Sequence, residues 1–298
     1  MLFFVTGVCG QLGYDVIKEA SKRGHTCIGS DIFDYDTYEN TPYIKLDITD
    51  RDTVIDTISQ IKPDIVIHCA AWTAVDAAED EENSEKVKAI NGNGTENIAL
   101  ACKNVGCKML YISTDYVFEG LGTTPWEPDC KEFNPLNAYG ASKLYGELAV
   151  GSILDKFYIV RIAWVFGKNG NNFIKTMLKL SQKYDTLRVV CDQIGTPTYT
   201  RDLSVLLVDM SESEKYGYYH ATNEGGYISW YDFACEIFRQ AGIDITVTPV
   251  TTAEYGLSKA ARPLNSRLEK KKLQECGFTP LPHWKDALSR YIKELQYE

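Results

Sequence analysis

Apolar positions fall along this chain in two alternating rhythms. Short, nearly unbroken apolar runs occupy Leu2–Val5, Thr26–Ser30, Ile65–Cys69, Met109–Ser113 and Tyr158–Ile162. Runs of that length, rich in β-branched residues and without polar alternation, suit strands covered on both faces in a parallel sheet. Between them, Leu12–Arg23, Thr53–Ile61, Ser84–Val105 and Tyr139–Leu148 carry apolar residues at helical spacing, with turn residues at their ends. The alternation from Met1 to about Val165 predicts βαβ units wound around an open parallel sheet. Beyond Val165 the pattern loosens into Gly-, Pro- and Asn-containing loops around Asn172–Lys183, Trp230–Ala241 and Trp284–Leu295. The expected organisation is an α/β unit over residues 1–165, to which part of the later chain is free to return, and a smaller lobe over residues 166–298.

Composition narrows the function. With 44% hydrophobic residues in 298 and no apolar run near the ~18 residues a spanning helix needs, no membrane span is expected. MLFF runs directly into VTG without a basic region or cleavage site, which points to the cytoplasm. The nine cysteines, at 9, 27, 69, 102, 107, 130, 191, 235 and 276, form no CxxC pair and read as reduced, largely buried thiols. With four dispersed histidines they supply no metal-ligand spacing, so no metal is expected. A net charge of −10 without a basic stripe argues against nucleic acid. It also means that an anionic ligand must be met by local cations, which draws notice to arginines in the second half.

The segment VTGVCGQLG sets Gly7, Gly10 and Gly13 between the first strand and first helix. Glycines there let the backbone turn tightly and approach a pyrophosphate, whose charge the helix start, Gln11 and Leu12, then meets. Asp31 ends the second strand, 18 residues after Gly13, where a carboxylate can bond ribose hydroxyls. Together these residues predict a Rossmann-type doubly wound sheet binding NADH or NADPH. Asp31 would repel a 2′-phosphate, and no Lys or Arg lies in the Gly turn or in Ile32–Pro42, so NADH is expected to serve at least as well as NADPH.

Tyr-x-x-x-Lys occurs three times, as Tyr14/Lys18, Tyr139/Lys143 and Tyr255/Lys259. Four residues apart on a helix, an ammonium can favour tyrosinate and bring the phenol's pKa down from about 10, so that it exchanges a proton with a substrate oxygen. Tyr14/Lys18 lies within the first helix and Tyr255/Lys259 is interrupted by Gly256. Only Tyr139/Lys143 opens a helix after a strand ending in Ser113-Thr114, and active sites in such sheets lie at the strands' carboxyl ends. Thr114, Tyr139 and Lys143 are therefore the candidate catalytic set, Thr114 holding a carbonyl oxygen near the phenol.

The glycine spacing resembles that of the extended short-chain dehydrogenases/reductases. STDYVFEG (113–120), PLNAYGASKLYGE (135–147), GNNFIKTML (170–178), DQIGTPT (192–198) and RPLNSRL (262–268) resemble, more narrowly, the dTDP-4-dehydrorhamnose reductases within them. The resemblance implies that Asp47 and Ile48 close the third strand beside adenine and that Ala70 and Ala71 let the backbone pass the cofactor, with Tyr139 and Lys143 also contacting it. It implies that Thr73, Val75, Asp115 and Trp164 lie beside the sugar, and that Arg262, Asn265, Ser266 and Arg267 help bind the nucleotide diphosphate. The implied reaction is hydride transfer to the C4 carbonyl of dTDP-4-dehydro-L-rhamnose, giving dTDP-L-rhamnose for cell-surface polysaccharide.

Two other readings stay open from sequence. One is a non-catalytic nucleotide-binding subunit like the regulatory partner of methionine adenosyltransferase. The other is another nucleotide-sugar reductase or dehydratase, although a 4,6-dehydratase carries Asp-Glu after the threonine where this chain has Asp115-Tyr116. Relatives that bridge subunits with Mg²⁺ use acids at positions matched here by Asp15 and Glu294, but Arg201 stands where a third acid belongs. A monomer or homodimer without bridging Mg²⁺ is expected.

Overall fold

The computed structural model of the chain describes residues 1–296. Its main sheet has eight strands in the spatial order Gly217–His220, Phe157–Ile162, Lys108–Thr114, Ile65–His68, Leu2–Thr6, Thr26–Asp31, Thr41–Lys45 and Thr37–Tyr38. Seven run parallel; Thr37–Tyr38 pairs antiparallel with Thr41–Lys45. The two residues between that last pair, Glu39 and Asn40, both have left-handed φ, 50° and 60°, as a tight hairpin of this twist requires. Leu2–Thr6 is flanked by Thr26–Asp31 on one side and Ile65–His68 on the other, so the winding reverses there. A crevice opens at the strands' carboxyl ends at that point.

Strands buried on both faces need helices on both faces, and two core clusters separated by the sheet supply them. One unites Phe3, Val5, Ile67, Leu110 and Val160 with Val16 and Ile17 of the helix Gln11–Lys22 and with Leu203 and Leu207 of Thr200–Ser211. The other joins Phe4, Val66, Met109 and Ile159 to Val54, Ile98 and Val150 of three helices on the opposite face. The chain after residue 165 thus contributes both the helix Thr200–Ser211 and the outermost strand Gly217–His220 to the sheet unit. A separate core, with Phe166, Ile174, Phe233, Ile237, Trp284 and Tyr291, lies under the helices Phe173–Ser181, Trp230–Ala241 and Trp284–Gln296 and the strand pair Thr186–Val190 with Thr246–Val250. Among the described residues no helix is long and apolar enough to cross a membrane.

The expected single helix over Ser84–Val105 is instead two helices, Ser84–Lys88 and Thr95–Val105, joined by a π turn at Ala89–Gly94. Crowding explains why glycines stand in that turn: a Cβ on Gly94 would lie 2.8 Å from Ile48 Cδ1, and one on Gly92 would lie 2.8 Å from the Tyr145 ring. The widened turn carries the buried Asn91 inward, where its side chain bonds Trp72 N, Trp72 O and Ser142 Oγ. The expected strand closing at Asp47 ends sooner, at Lys45, and Asp47 lies in the turn that follows.

Candidate active site

One cavity of about 910 Å³ runs along the carboxyl ends of the central strands. At one end it is lined by Gly7, Gly10, Gln11, Leu12, Gly13 and Asp31, with Asp47, Ile48, Ala70 and Ala71 beside them. The glycines are required by close approach. Gly7 has φ +71°, and a Cβ on it would sit 2.5 Å from Ala70 N; one on Gly13 would sit 2.2 Å from Gly7 O. Gly10 opens the helix Gln11–Lys22 with no side-chain cap, so the first-turn N–H groups and the positive end of the helix dipole remain for an anion. Asp31 is already partly engaged: it accepts from Cys9 N at 3.0 Å and Ile32 N at 2.8 Å, tying the Gly turn to the end of the second strand while it faces the cavity.

The other end is built on the helix Ala138–Ile153 and the strand Lys108–Thr114. Asn137 caps that helix by accepting from Gly140 N at 2.8 Å, and Glu79 accepts from Ala138 N at 2.7 Å. Gly140 permits the helix to lie against the strand-end turn, since a Cβ there would fall 2.3 Å from Tyr116 O. Farther along the helix, Glu147 and Arg161 of the strand Phe157–Ile162 form a fully buried bidentate pair, both bonds 2.8 Å. That pair fixes the helix to the sheet, and losing either partner would leave a buried uncompensated charge.

Tyr139, Lys143, Thr114 and Asp115 all line this end of the cavity. Lys143 is 3% exposed, its Nζ 4.2 Å from the centre of the Tyr111 ring, and burial draws its pKa down to about 7. The sequence argument expected Lys143 to lower the Tyr139 pKa. The opposite direction is found: burial first, and then the negative charge of Asp115, hold the phenol above its ordinary value, with the nearby Thr114 hydroxyl pulling the other way. The reason is desolvation of the phenolate, against which an ammonium itself close to neutrality offers little. A phenol that keeps its proton is suited to give it to an alkoxide, a far stronger base.

Thr114 accepts from Tyr116 N at 3.3 Å and donates to Asp115 Oδ1 at 3.0 Å. Asp115 is 2% exposed, its other oxygen has no hydrogen-bond partner, and burial raises its pKa to about 6 against the pull of Ser266 and Thr114.

Thr73, Val75, Trp164 and Arg262 also line the cavity. Arg262 donates to Asp76 at 2.6 Å. The other three residues of the RPLNSRL string that the resemblance implicated are not among the lining. Asn265 is consumed by the loop that carries Gly120, bonding Leu121 O, Thr124 O and Arg267. Ser266 backs Asp115, and Arg267 lies against Tyr227.

The structure also separates the three Tyr/Lys pairs. Lys18 donates to Tyr14 OH at 2.7 Å, and neither residue lines the cavity. Tyr255 ends a short helix, Thr252–Tyr255, and Lys259 pairs with Asp80 instead. Asp15 accepts from the Thr200 hydroxyl and is raised to about 6 chiefly by burial, while Glu294 accepts from Tyr199 OH at 2.7 Å.

Sequence reasoning missed Phe173, Trp230 and Phe233, which add an aromatic wall to the cavity. It also missed Asn91, which the π turn bonds to the helix Ala138–Ile153 through Ser142. Gly92 and Gly94 inside an expected helix were the available signal for the second.

The family model described as "RmlD substrate binding domain" matches residues 1–297. A dTDP-4-dehydrorhamnose reductase of Streptomyces griseus is 38% identical over 98% of this chain and 93% of its own. Among solved structures, a dTDP-4-dehydrorhamnose reductase from Clostridium acetobutylicum superposes with a TM-score of 0.91 at 42% identity, covering 99% of this chain and 100% of that one. A dTDP-4-dehydrorhamnose reductase from Bacillus anthracis, in complex with NADP, gives 0.89 at 39% identity, covering 98% and 99%.

Proposed function

The chain belongs to the RmlD substrate binding domain family, and from that membership we infer an NAD(P)H-dependent enzyme that reduces the C4 carbonyl of dTDP-4-dehydro-L-rhamnose to give dTDP-L-rhamnose. The observation that carries this reading is the single cavity that has a glycine cradle at one end and Thr114, Tyr139 and Lys143 at the other. The cradle fits a dinucleotide, because the space a Cβ would take at Gly7 and Gly13 is closed by backbone and the helix start faces it. Gly7, Gly10, Gln11, Leu12 and Gly13 would hold the pyrophosphate, Asp31 the adenosine ribose, Asp47 and Ile48 the adenine, and Ala70 and Ala71 the passage toward the catalytic end. Bound there, the reduced nicotinamide supplies the hydride.

The chain's own residues do the rest. Tyr139 keeps its proton until an alkoxide forms at C4 and then releases it to that oxygen. Lys143, whose pKa burial brings down to about 7, bonds the cofactor ribose. Thr114 and Asp115 form one hydrogen-bonded edge beside the carbonyl. Thr73, Val75 and Trp164 border the sugar, and Arg262 meets the diphosphate charge in a protein whose net charge is otherwise strongly negative. Asn265, Ser266 and Arg267 support that wall from behind. Residues up to 165 supply the cofactor side and, through Thr73, Val75, Thr114, Asp115 and Trp164, much of the sugar side, while the later chain adds Phe173, Trp230, Phe233 and Arg262. The nine cysteines are all free thiols, which agrees with work in the reducing cytoplasm.

A dehydratase is disfavoured by Tyr116, whose phenol burial pushes up to about 12, no substitute for a carboxylate base at neutral pH. The test is NAD(P)H oxidation on adding dTDP-4-dehydro-L-rhamnose. One cofactor consumed per sugar reduced supports the assignment. Absence of turnover with bound nucleotide would favour a regulatory subunit, and release of a 4-keto-6-deoxy sugar from dTDP-glucose with catalytic NAD⁺ would favour a dehydratase.

A further inference from the structure

Trp164 holds a backbone conformation that a bulky side chain rarely adopts. Its φ is +50°, in the left-handed region where Cβ crowds the neighbouring carbonyl, and such a residue persists only where its surroundings fix it. Thr198 N donates to Trp164 O at 3.1 Å and pins the peptide. Gly195 leaves room for the ring, since a Cβ there would lie 3.0 Å from Trp164 Cε2. Two further rings bear on it: Phe233, its ring centre 6.5 Å away, and, far closer, Trp230, whose indole lies on that of Trp164 with ring centres 3.7 Å apart and planes within 15°.

Trp230 is itself held. It is the first residue of the helix Trp230–Ala241, immediately after a capping box in which Ser229 and Asp232 bond each other's backbone N–H. Its ring packs against Phe173 at 4.6 Å. Both indoles are half-buried and line the cavity, so the pair is a rigid edge anchored in the smaller lobe.

We propose that Trp230 is a positioning residue for the reduction, fixing the Trp164 indole that a left-handed backbone projects into the cavity so that it presents a flat apolar surface to the C–H face of the bound sugar. The proposal rests on Trp164 bordering the sugar, as in the function assigned above. Substrate affinity is then set partly by a residue that acts through its neighbour.

A double-mutant cycle of Trp164→Leu and Trp230→Leu, with KM for the nucleotide sugar, kcat, cofactor affinity and Tm measured for each, tests it. Each single variant is expected to raise KM about two- to tenfold, the span of one aromatic pair, with kcat and cofactor affinity little changed. The double variant should be no worse than the poorer single, because the two residues act as one unit. Trp230→Phe, which keeps a flat ring, should restore KM. The stacked indoles should give an exciton band in circular dichroism that either single substitution abolishes. Should Trp230→Leu fail to fold, Trp230→Met keeps the volume without the ring and carries the same expectation. A raised KM in Trp164→Leu but not in Trp230→Leu would overturn the proposal and leave Trp164 in its role. Effects that multiply in the double variant would also overturn it, since Trp230 would then touch substrate independently. An unchanged KM in Trp164→Leu would instead refute the placement of Trp164 beside the sugar.

Discussion

Tyr139→Phe removes one hydroxyl from the proposed reaction and almost nothing from the fold. The ring stays in edge contact with Tyr116, centres 5.7 Å apart, and the helix cap at Asn137 is untouched, so Tm and cofactor affinity should hold. What is lost is the proton delivered to the nascent alkoxide. A positioned acid contributes about 10² to 10⁴ in rate, or roughly 3 to 5 kcal/mol of barrier, and kcat should fall by that factor. The control is built into the chain: Tyr14→Phe removes an actual hydrogen bond to Lys18 at 2.7 Å. It should cost about 1 kcal/mol of stability or less and leave kcat unchanged. The assay is steady-state oxidation of NADH by the 4-keto sugar, followed by absorbance, with cofactor binding measured separately by fluorescence. The phenol's pKa is raised above its ordinary value, so Tyr139 stays protonated across neutral pH. A change in kcat between pH 6 and 7 would therefore report Asp115, at about 6, and Lys143, at about 7, and not the phenol. Near wild-type turnover in Tyr139→Phe, or an equal loss in Tyr14→Phe, would refute the assignment of the catalytic pair.

Other outcomes follow from the same geometry. Gly13→Ala places a Cβ 2.2 Å from Gly7 O and should weaken NAD(P)H binding by about 5- to 150-fold, as the backbone shift of an overpacked site costs about 1 to 3 kcal/mol; isothermal titration reads it directly. Lys143 has a folded pKa below its unfolded value, so the unfolded chain binds the extra proton between about pH 7 and 10.5 and the native state gains stability as pH rises through that window. Lys143→Met should remove this gain, visible as a Tm profile that flattens from pH 7 to 10. With Asp31 facing the adenosine end, kcat/KM with NADH should equal or exceed that with NADPH, and a strong preference for NADPH would count against the role given to this carboxylate. Activity and oligomeric state should survive EDTA, since Arg201 puts a cation beside Asp15 where a bridging Mg²⁺ would need another acid; inactivation reversed by Mg²⁺ would contradict this.

Local sequence determined the parts whose physics is local. Strands buried on both faces announce themselves as unbroken apolar runs, so all five expected runs became members of the sheet. A tight strand-to-helix turn needs glycine at fixed offsets, so Gly7, Gly10 and Gly13 were legible, and with Asp31 they line one end of the cavity. Chain order, the hydroxyl-bearing strand end before the helix, pointed to Tyr139/Lys143 among three equal spacings, and of the three pairs it is the one that lines the cavity.

Tertiary structure decided whatever depended on distant neighbours. The direction of the Tyr139 pKa came from burial and from the nearby charge of Asp115, neither of which helical spacing contains. The strand Gly217–His220 carries a short polar-aromatic segment, GYYH, and joins the sheet only because the strand Phe157–Ile162 offers it a free edge. The π turn at Ala89–Gly94 forms because Ile48 and Tyr145 press on two glycines from other elements. Four residues of one string, Arg262, Asn265, Ser266 and Arg267, looked equivalent until the loop at 120–124 took up Asn265 and left Arg262 facing the cavity. Trp164 and Trp230 stand 66 positions apart, and no periodicity along a chain records that two rings will stack, because that contact is made by the packing of one lobe against the end of a sheet.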